Sequence, residues 1–507
     1  MTRKPDFIRD IGNYLVGRGS LILLGFVTFP LLTRVLPVEQ YGILSLTFRL
    51  VLLLVVLSKC GLQYSAARFY DASKSDVAGQ RRFYSTLLIG PAITSLLFSA
   101  IYMAVLFSSS AWRADTQLFH CLLLAPIAVV LRTLQSMLLS FLRNEGRSRL
   151  HTIVEVMTKV TTMVGLIALV VAGQHRAFPV VLATMTAEAI VVAIQLGDVL
   201  RRGLIHPTAI DWDLIRTSLK FGMPLIAYEL SSLVLDSADR IIVQRYMGDH
   251  SLGLYSAAYS ISGYLQDVVM TPLNLALFPI YMRLWNEEGK EATSRFLSMS
   301  LSWFVVIALF ITGLSTLCAG DALVFLASTR FAGAEGLLKV LVPALMVYAL
   351  HIFFNVGLVL QKRTTLLAII VIIAAAVNIA ANFGWVPRYG LMGAAAATFL
   401  SYAVMVVTLI VVNRNILPLH VNPALAVSAV VALLCAYPLP TFIHSQWLIA
   451  QLLGRAAAYS AMFTGCFFIM SSDFRKVVKK ALAKLSIGTI SPLRVPSAAA
   501  TGEGGAE

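Results

Sequence analysis

Charged residues make up only 13% of this 507-residue chain, hydrophobic residues 58%, and the mean hydropathy is +0.81. A soluble chain needs roughly 25% charge to cover its surface, so a water-soluble globule is excluded. The formal net charge of +15 would suit nucleic acid on a soluble protein, but here the bases lie between apolar blocks and report membrane orientation; no nucleic-acid partner is expected.

In chain order, Arg3, Lys4 and Arg9 precede a long apolar stretch with no small-residue cleavage site behind it, so the N-terminus reads as a first span and not a cleavable signal. A span needs about 20 mostly apolar residues. That measure predicts helices at 12–35, 42–65, 84–107, 117–141, 151–172, 178–199, 219–244, 254–281, 296–318, 338–360, 365–386, 389–413, 423–441 and 447–470. The fold class is therefore all-α, a polytopic membrane protein of about fourteen spans. Behind them Arg475, Lys476, Lys479 and Lys480 open a basic, amphipathic tail suited to an anionic inner leaflet. The Ser, Ala and Gly that follow are expected to be disordered.

Placing the N-terminus in the cytoplasm puts 26 loop Lys and Arg on the cytoplasmic side and 6 on the other. That is the positive-inside pattern, and it places both termini inside. The five cysteines lie in or at the edge of apolar segments and form no CxxC or Cys/His cluster, so no metal site or disulfide framework is expected.

Sliding the chain by 211 positions places Arg34 on Arg245, Gly42 on Gly253, Ser45 on Ser256 and Tyr70 on Tyr281. The two hairpins, 33–46 and 244–257, are each a span, a short outer loop and a returning span. Six spans separate them, which implies two parallel, pseudo-symmetric six-helix bundles with a central cavity between. The expected divisions are 1–217 for the first bundle, 218–415 for the second, 416–471 for two extra C-terminal helices and 472–507 for the cytoplasmic tail.

Ionisable residues inside spans cost about 2.5–3.5 kcal/mol at the bilayer centre and so face a bundle interior or an aqueous cavity. Glu155 with Lys159, and Asp236 with Arg240, are spaced i,i+4 and read as self-contained ion pairs. Lys339 sits at an outer edge and snorkels, and Arg455 reads as interfacial. Arg49, Lys59 and Arg132 have no acid at helical spacing. Arg18 lies between Gly17 and Gly19, which would let a backbone or ligand come close. The first six spans are net basic and the next six net acidic, which fits an anionic cargo held by paired positive charge. Arg18, Arg49, Lys59 and Arg132 are the candidate substrate-binding residues. Glu229, Asp236, Asp239, Arg240 and Asp267 are the candidates for coupling or gating, with a proton or Na⁺ as the coupling ion. No Walker loop, HExxH or nucleophile elbow is present, so neither enzyme chemistry nor a cofactor is expected.

The hairpin FPLLTRVLPVEQYGILSL with KCGLQYSAARFY behind it resembles the opening of the polysaccharide biosynthesis flippases, the exporter branch of the multidrug/oligosaccharidyl-lipid/polysaccharide superfamily. Pro224, Asp239-Arg240, Gly248, the run Gly253 to Tyr259, Asn378 and VPRYGLMGAAAATFLSYAV (386–404) extend the likeness over about residues 10–415. The resemblance implies a cargo, an oligosaccharide linked to undecaprenyl pyrophosphate, flipped from inner to outer leaflet of a bacterial inner membrane by alternating access. O-antigen, exopolysaccharide or capsule synthesis would be the pathway class, with a polymerase and other assembly proteins as partners. A lipid II flippase is the alternative within the superfamily, and a drug/cation antiporter fits the basic first bundle less well.

Overall fold

A computed structural model of the chain describes residues 4–73 and 76–479. Arg3, Lys74 and the tail from residue 480 onward, with its expected disorder, lie outside the described residues. Among those described, every regular element is a helix, the solution that satisfies backbone polar groups where no water is available. Twelve runs among the described residues are long and apolar enough to cross a membrane. Their ends fall within a few residues of most predicted spans. Loop polar side chains set several starts: Asp76 accepts from Gly79 N–H at 2.6 Å, Asp211 from Leu214 N–H at 2.9 Å, and Asn422 from Ala424 N–H at 3.0 Å.

Two runs, Trp212–Glu287 (76 residues) and Thr364–Asn413 (50 residues), are far longer than the about 20 residues a bilayer needs. Each breaks at a glycine with positive φ, Gly248 (φ 77°) and Gly390 (φ 60°), a conformation that side chains with a Cβ resist. The chain doubles back there. Tyr255 reaches Asp239 and Tyr259 reaches Asp236 across the first break, and Asn378 reaches Ser401 across the second. These are the places where the sequence puts the loops between 219–244 and 254–281 and between 365–386 and 389–413. The second helix, in contrast, stops at Lys59, short of the expected 65: Cys60 and Gly61 both take positive φ (48° and 71°), and a separate helix, Leu62–Ser73, begins.

Packing separates two halves at one end of the molecule and joins them at the other. One apolar core contains Leu62, Phe83, Tyr84, Met137 and Phe141 from the first half. A second contains Leu301, Phe353, Val371 and Tyr402 from the second half. The core at the hairpin end draws on both, with Leu36, Ile43 and Val129 beside Leu252, Tyr255 and Leu341.

At this end the repeat-related hairpins meet face to face. A Cβ added to Gly42 would lie 2.6 Å from the Asp249 carbonyl oxygen, and one added to Gly253 would overlap the Val38 carbonyl oxygen. Residues 38 and 249 are themselves related by the 211-residue shift, so the two contacts are a pseudo-symmetric pair. Glu39 and His250, related by the same shift, meet at 2.7 Å. Arg34 Nη2 donates to the Phe325 carbonyl at 2.9 Å, and Tyr41 OH lies 3.0 Å from Ser260 Oγ. The hairpin end is sealed.

The last two spans pack on the second half through Tyr459, Phe463 and Phe467, which meet Phe310 and Trp303. Arg455, read from sequence as interfacial, is tied to a neighbouring helix. Its Nη1 sits 2.8 Å from Asp321 Oδ2, its Nε donates to the Ile443 carbonyl at 3.0 Å, and Gln451 completes the carboxylate at 2.8 Å. An acid 134 residues away in sequence makes it an inter-helix tie. Lys339 is exposed and pairs with Glu335 at 2.7 Å.

Candidate functional site

Below the sealed end, the halves part around two connected chambers of about 580 and 610 Å³ that share Tyr64 and Glu229. They differ in sign. The larger is lined by Arg18, Lys59, Arg132, Arg143 and Lys159 against only Glu155 and Glu229. The other is lined by Arg49 against Glu229, Asp236 and Asp267, with Tyr228, Tyr259, Tyr264, Tyr348 and Tyr402 in its wall. Arg18, Lys159 and Asp267 are exposed to the open space.

All four predicted substrate-binding bases thus line the two chambers, but three are not free. Arg49 Nη1 lies 2.5 Å from Asp236 Oδ2, Lys59 Nζ 3.2 Å from Glu229 Oε1, and Arg132 Nη2 2.9 Å from Glu188 Oε1. Their acids lie on other helices, beyond any i,i+4 reading. Arg132 also stacks over the Phe48 ring at 4.8 Å, a cation–π contact that adds to its fixed position. Arg18 has no carboxylate within ion-pair reach among the described residues. Of its flanking glycines, Gly17 packs on Thr152, whereas a Cβ on Gly19 would meet nothing within 4 Å.

The two expected i,i+4 pairs do not form. Glu155 faces His151 at 3.5 Å, and Lys159 is left without a carboxylate partner among the described residues. Asp236 gives its carboxylate to Arg49 and to Tyr259 OH at 2.6 Å, while Arg240 Nη1 donates to the Asp236 backbone carbonyl, also at 2.6 Å. Side-chain direction decides both cases: Glu155 turns back to His151 on its own helix, and Asp236 turns across the cavity to Arg49.

The coupling candidates divide by access. Glu229, Asp236 and Asp267 line the acidic chamber. Asp239 and Arg240 are walled into the second half, with side chains 0% and 1% exposed. Asp239 accepts from Tyr255 OH at 2.5 Å and from the Arg240 backbone N–H at 2.8 Å, and the Arg240 guanidinium lies 4.2 Å from the Tyr259 ring centroid. A buried charge with this many partners fixes the helix pair in place.

Sequence reasoning missed Lys159, hidden behind its presumed partner, and Arg143, assigned to a loop. A helical stripe could have found Arg143: Arg132, Gln135, Ser136, Leu139 and Arg143 follow i, i+3, i+4, i+7, i+11, which is one face of a helix, and all five line the basic chamber. No group of three His, Cys, Asp or Glu among the described residues is placed to hold a metal. The arrangement suits an anion, since Arg18, Arg143 and Lys159 line the chamber without a carboxylate in ion-pair reach among the described residues.

A family profile described as polysaccharide biosynthesis protein matches residues 7–285. Lsg locus putative protein 1 of Haemophilus influenzae is 23% identical over 342 residues, covering 64% of this chain and 78% of that protein. The succinoglycan biosynthesis transport protein ExoT of Rhizobium meliloti is 23% identical over 330 residues, covering 63% of this chain and 62% of that one. The chain therefore spans about three fifths of the length of this second relative. Among solved structures, the lipid II flippase MurJ in an inward closed conformation superposes with a TM-score of 0.68 at 14% identity, over 91% of this chain and 99% of that one. An inward-facing multidrug resistance MATE family transporter gives 0.62 at 15% identity, over 78% and 94%. At such identities these two structures share the fold.

Proposed function

Because this chain belongs to the polysaccharide biosynthesis protein family and has a membrane transporter fold, we propose that it flips an oligosaccharide linked to undecaprenyl pyrophosphate from inner to outer leaflet. The observation that carries the reading is the basic chamber. Five Lys and Arg, all from the first half, converge on one chamber against two carboxylates, of which Glu229 comes from the second half, and Arg18 and Lys159 make no ion pair among the described residues. A diphosphate leaving water needs such a set of charge-assisted donors. The sealed hairpin end fits a carrier caught open to the side where cargo is made, with alternation between the 1–217 and 218–415 halves exposing the chamber to the other face. Both termini lie in the cytoplasm, and a polymerase takes the flipped unit onward. Glu229, Asp236 and Asp267 are the accessible sites for a coupling proton or Na⁺; Asp239 and Arg240 are structural in this reading.

The test is surface glycan display together with membrane abundance for Arg18→Ala, Lys159→Ala and the double variant, in cells that lack the native gene. Each base makes a contact worth about 1.5–3 kcal/mol to a phosphate. Single losses should therefore cut display roughly tenfold or more, and the double should abolish it at normal abundance. Full display from the double variant would remove the basic chamber from the transport path.

A further inference from the structure

The two ion pairs at the chamber walls share one geometry. In each, the base stands on the second helix, Val38–Lys59, and the acid on the run that opens the second half, Trp212–Glu287. Arg49 meets Asp236, and Lys59 meets Glu229. Both pairs therefore cross from one half to the other, whereas Arg132–Glu188 stays within the first. On the second helix the rungs are ten residues apart, about 15 Å along the axis. Each carboxylate is built in with further donors. Tyr259 OH reaches Asp236 at 2.6 Å, and Gln63 Nε2 and Tyr64 OH reach Glu229 at 2.9 and 3.0 Å. Neither pair is deeply buried: side-chain exposure is 31% and 33% for the first, 11% and 25% for the second. The carboxylates hold the bases in solvent-accessible space, where another anion can compete for them.

Resting on the anionic-cargo reading above, we infer that Asp236 and Glu229 are resident stand-ins for the cargo's diphosphate, and that loading breaks both cross-half links by counter-charge exchange. The diphosphate lands first on Arg18 and Lys159, which with Arg143 line the basic chamber without a carboxylate in ion-pair reach among the described residues. It then draws Arg49 and Lys59 away from Asp236 and Glu229, because it offers more charge and more acceptor oxygens than a single carboxylate. With both rungs open, the halves are released to rearrange. After the cargo leaves, the carboxylates recapture the bases and the links re-form. The empty carrier is thus held in this one state by the charges that recognise cargo, which ties movement to occupancy. Such a device needs differential affinity of the two states for the anion, and the carboxylates supply it by competing in one state only.

The experiment uses the purified full-length chain in lipid nanodiscs, with inorganic pyrophosphate as the probe and titration calorimetry as the readout. Asp236→Asn and Glu229→Gln each delete a competitor while leaving every base in place, so each should tighten pyrophosphate binding about tenfold over the unaltered chain. Spin labels at Arg201 and Glu287, in a background without the five native cysteines, read the distance between the halves. Pyrophosphate should broaden that distance distribution in the unaltered chain, and the two variants should show the broadened form without ligand. Unchanged or weaker binding by both variants overturns the exchange while leaving the anion site standing, provided that Arg18→Ala with Lys159→Ala lowers binding. Failure of the unaltered chain to bind pyrophosphate overturns the site reading itself, and the inference with it.

Discussion

The Arg132–Glu188 pair differs from the two cross-half links in what its loss leaves behind. The Glu188 side chain is only 9% exposed and takes both Nε and Nη2 of Arg132. Arg132→Ala strands that carboxylate. Breaking a buried pair costs about 3–5 kcal/mol, whereas replacing both partners by apolar groups is often neutral. Arg132→Leu should therefore lower the melting temperature in detergent by several degrees, and adding Glu188→Leu should restore most of it. Equal melting of the single variant and the unaltered chain would show that the pair contributes nothing to stability. The residue scale is also where the sequence was least legible. Which bases sit inside the membrane could be read from position alone. Their partners could not, because Asp236 is 187 residues from Arg49, Glu229 is 170 from Lys59 and Glu188 is 56 from Arg132. Helical spacing sees only i,i+3 and i,i+4 neighbours, so it supplied two local pairs that do not form and left three distant pairs unseen.

At the scale of elements the sequence was far more legible, because a bilayer imposes one length on every helix that crosses it. The span ends, and both glycine breaks at Gly248 and Gly390, fall close to where the apolar blocks stop. The misplaced end at Lys59 has a local cause: the left-handed turn at Cys60 and Gly61 ends the helix, and the expected span 42–65 ran past it into the polar Gln63, Tyr64 and Ser65. The attachment of the two final helices was invisible to hydropathy, which cannot tell an inward from an outward Arg455. Its tie to Asp321, with both side chains no more than 15% exposed, predicts that Arg455→Ala loosens those helices without touching the chambers. Limited proteolysis should cleave the 437–447 connection faster, and membrane abundance should fall, while pyrophosphate affinity per folded molecule stays constant. A change in affinity would mean that the last two helices shape the basic chamber.

For the whole molecule, the even spacing of apolar runs and the bias of 26 loop bases against 6 predict that reporters fused at Ser109, Gly248 and Ser445 lie outside. An inside signal at Gly248 would reverse the hairpin end, and with it the side on which the chambers receive cargo. The meeting of Gly42 with Gly253 has a consequence for descent. These residues are related by the same 211-residue shift as the two hairpins, and each fills the room the other leaves. Neither hairpin is then free to drift alone: a methyl group on either one presses on the backbone of its twin. The two insults are one insult, since forcing the hairpins apart for the first makes room for the second. A double-mutant cycle on Gly42→Ala and Gly253→Ala should therefore be strongly non-additive, with the pair no worse than the more damaging single. Simple addition of the two losses would mean that the two hairpins pack independently of each other.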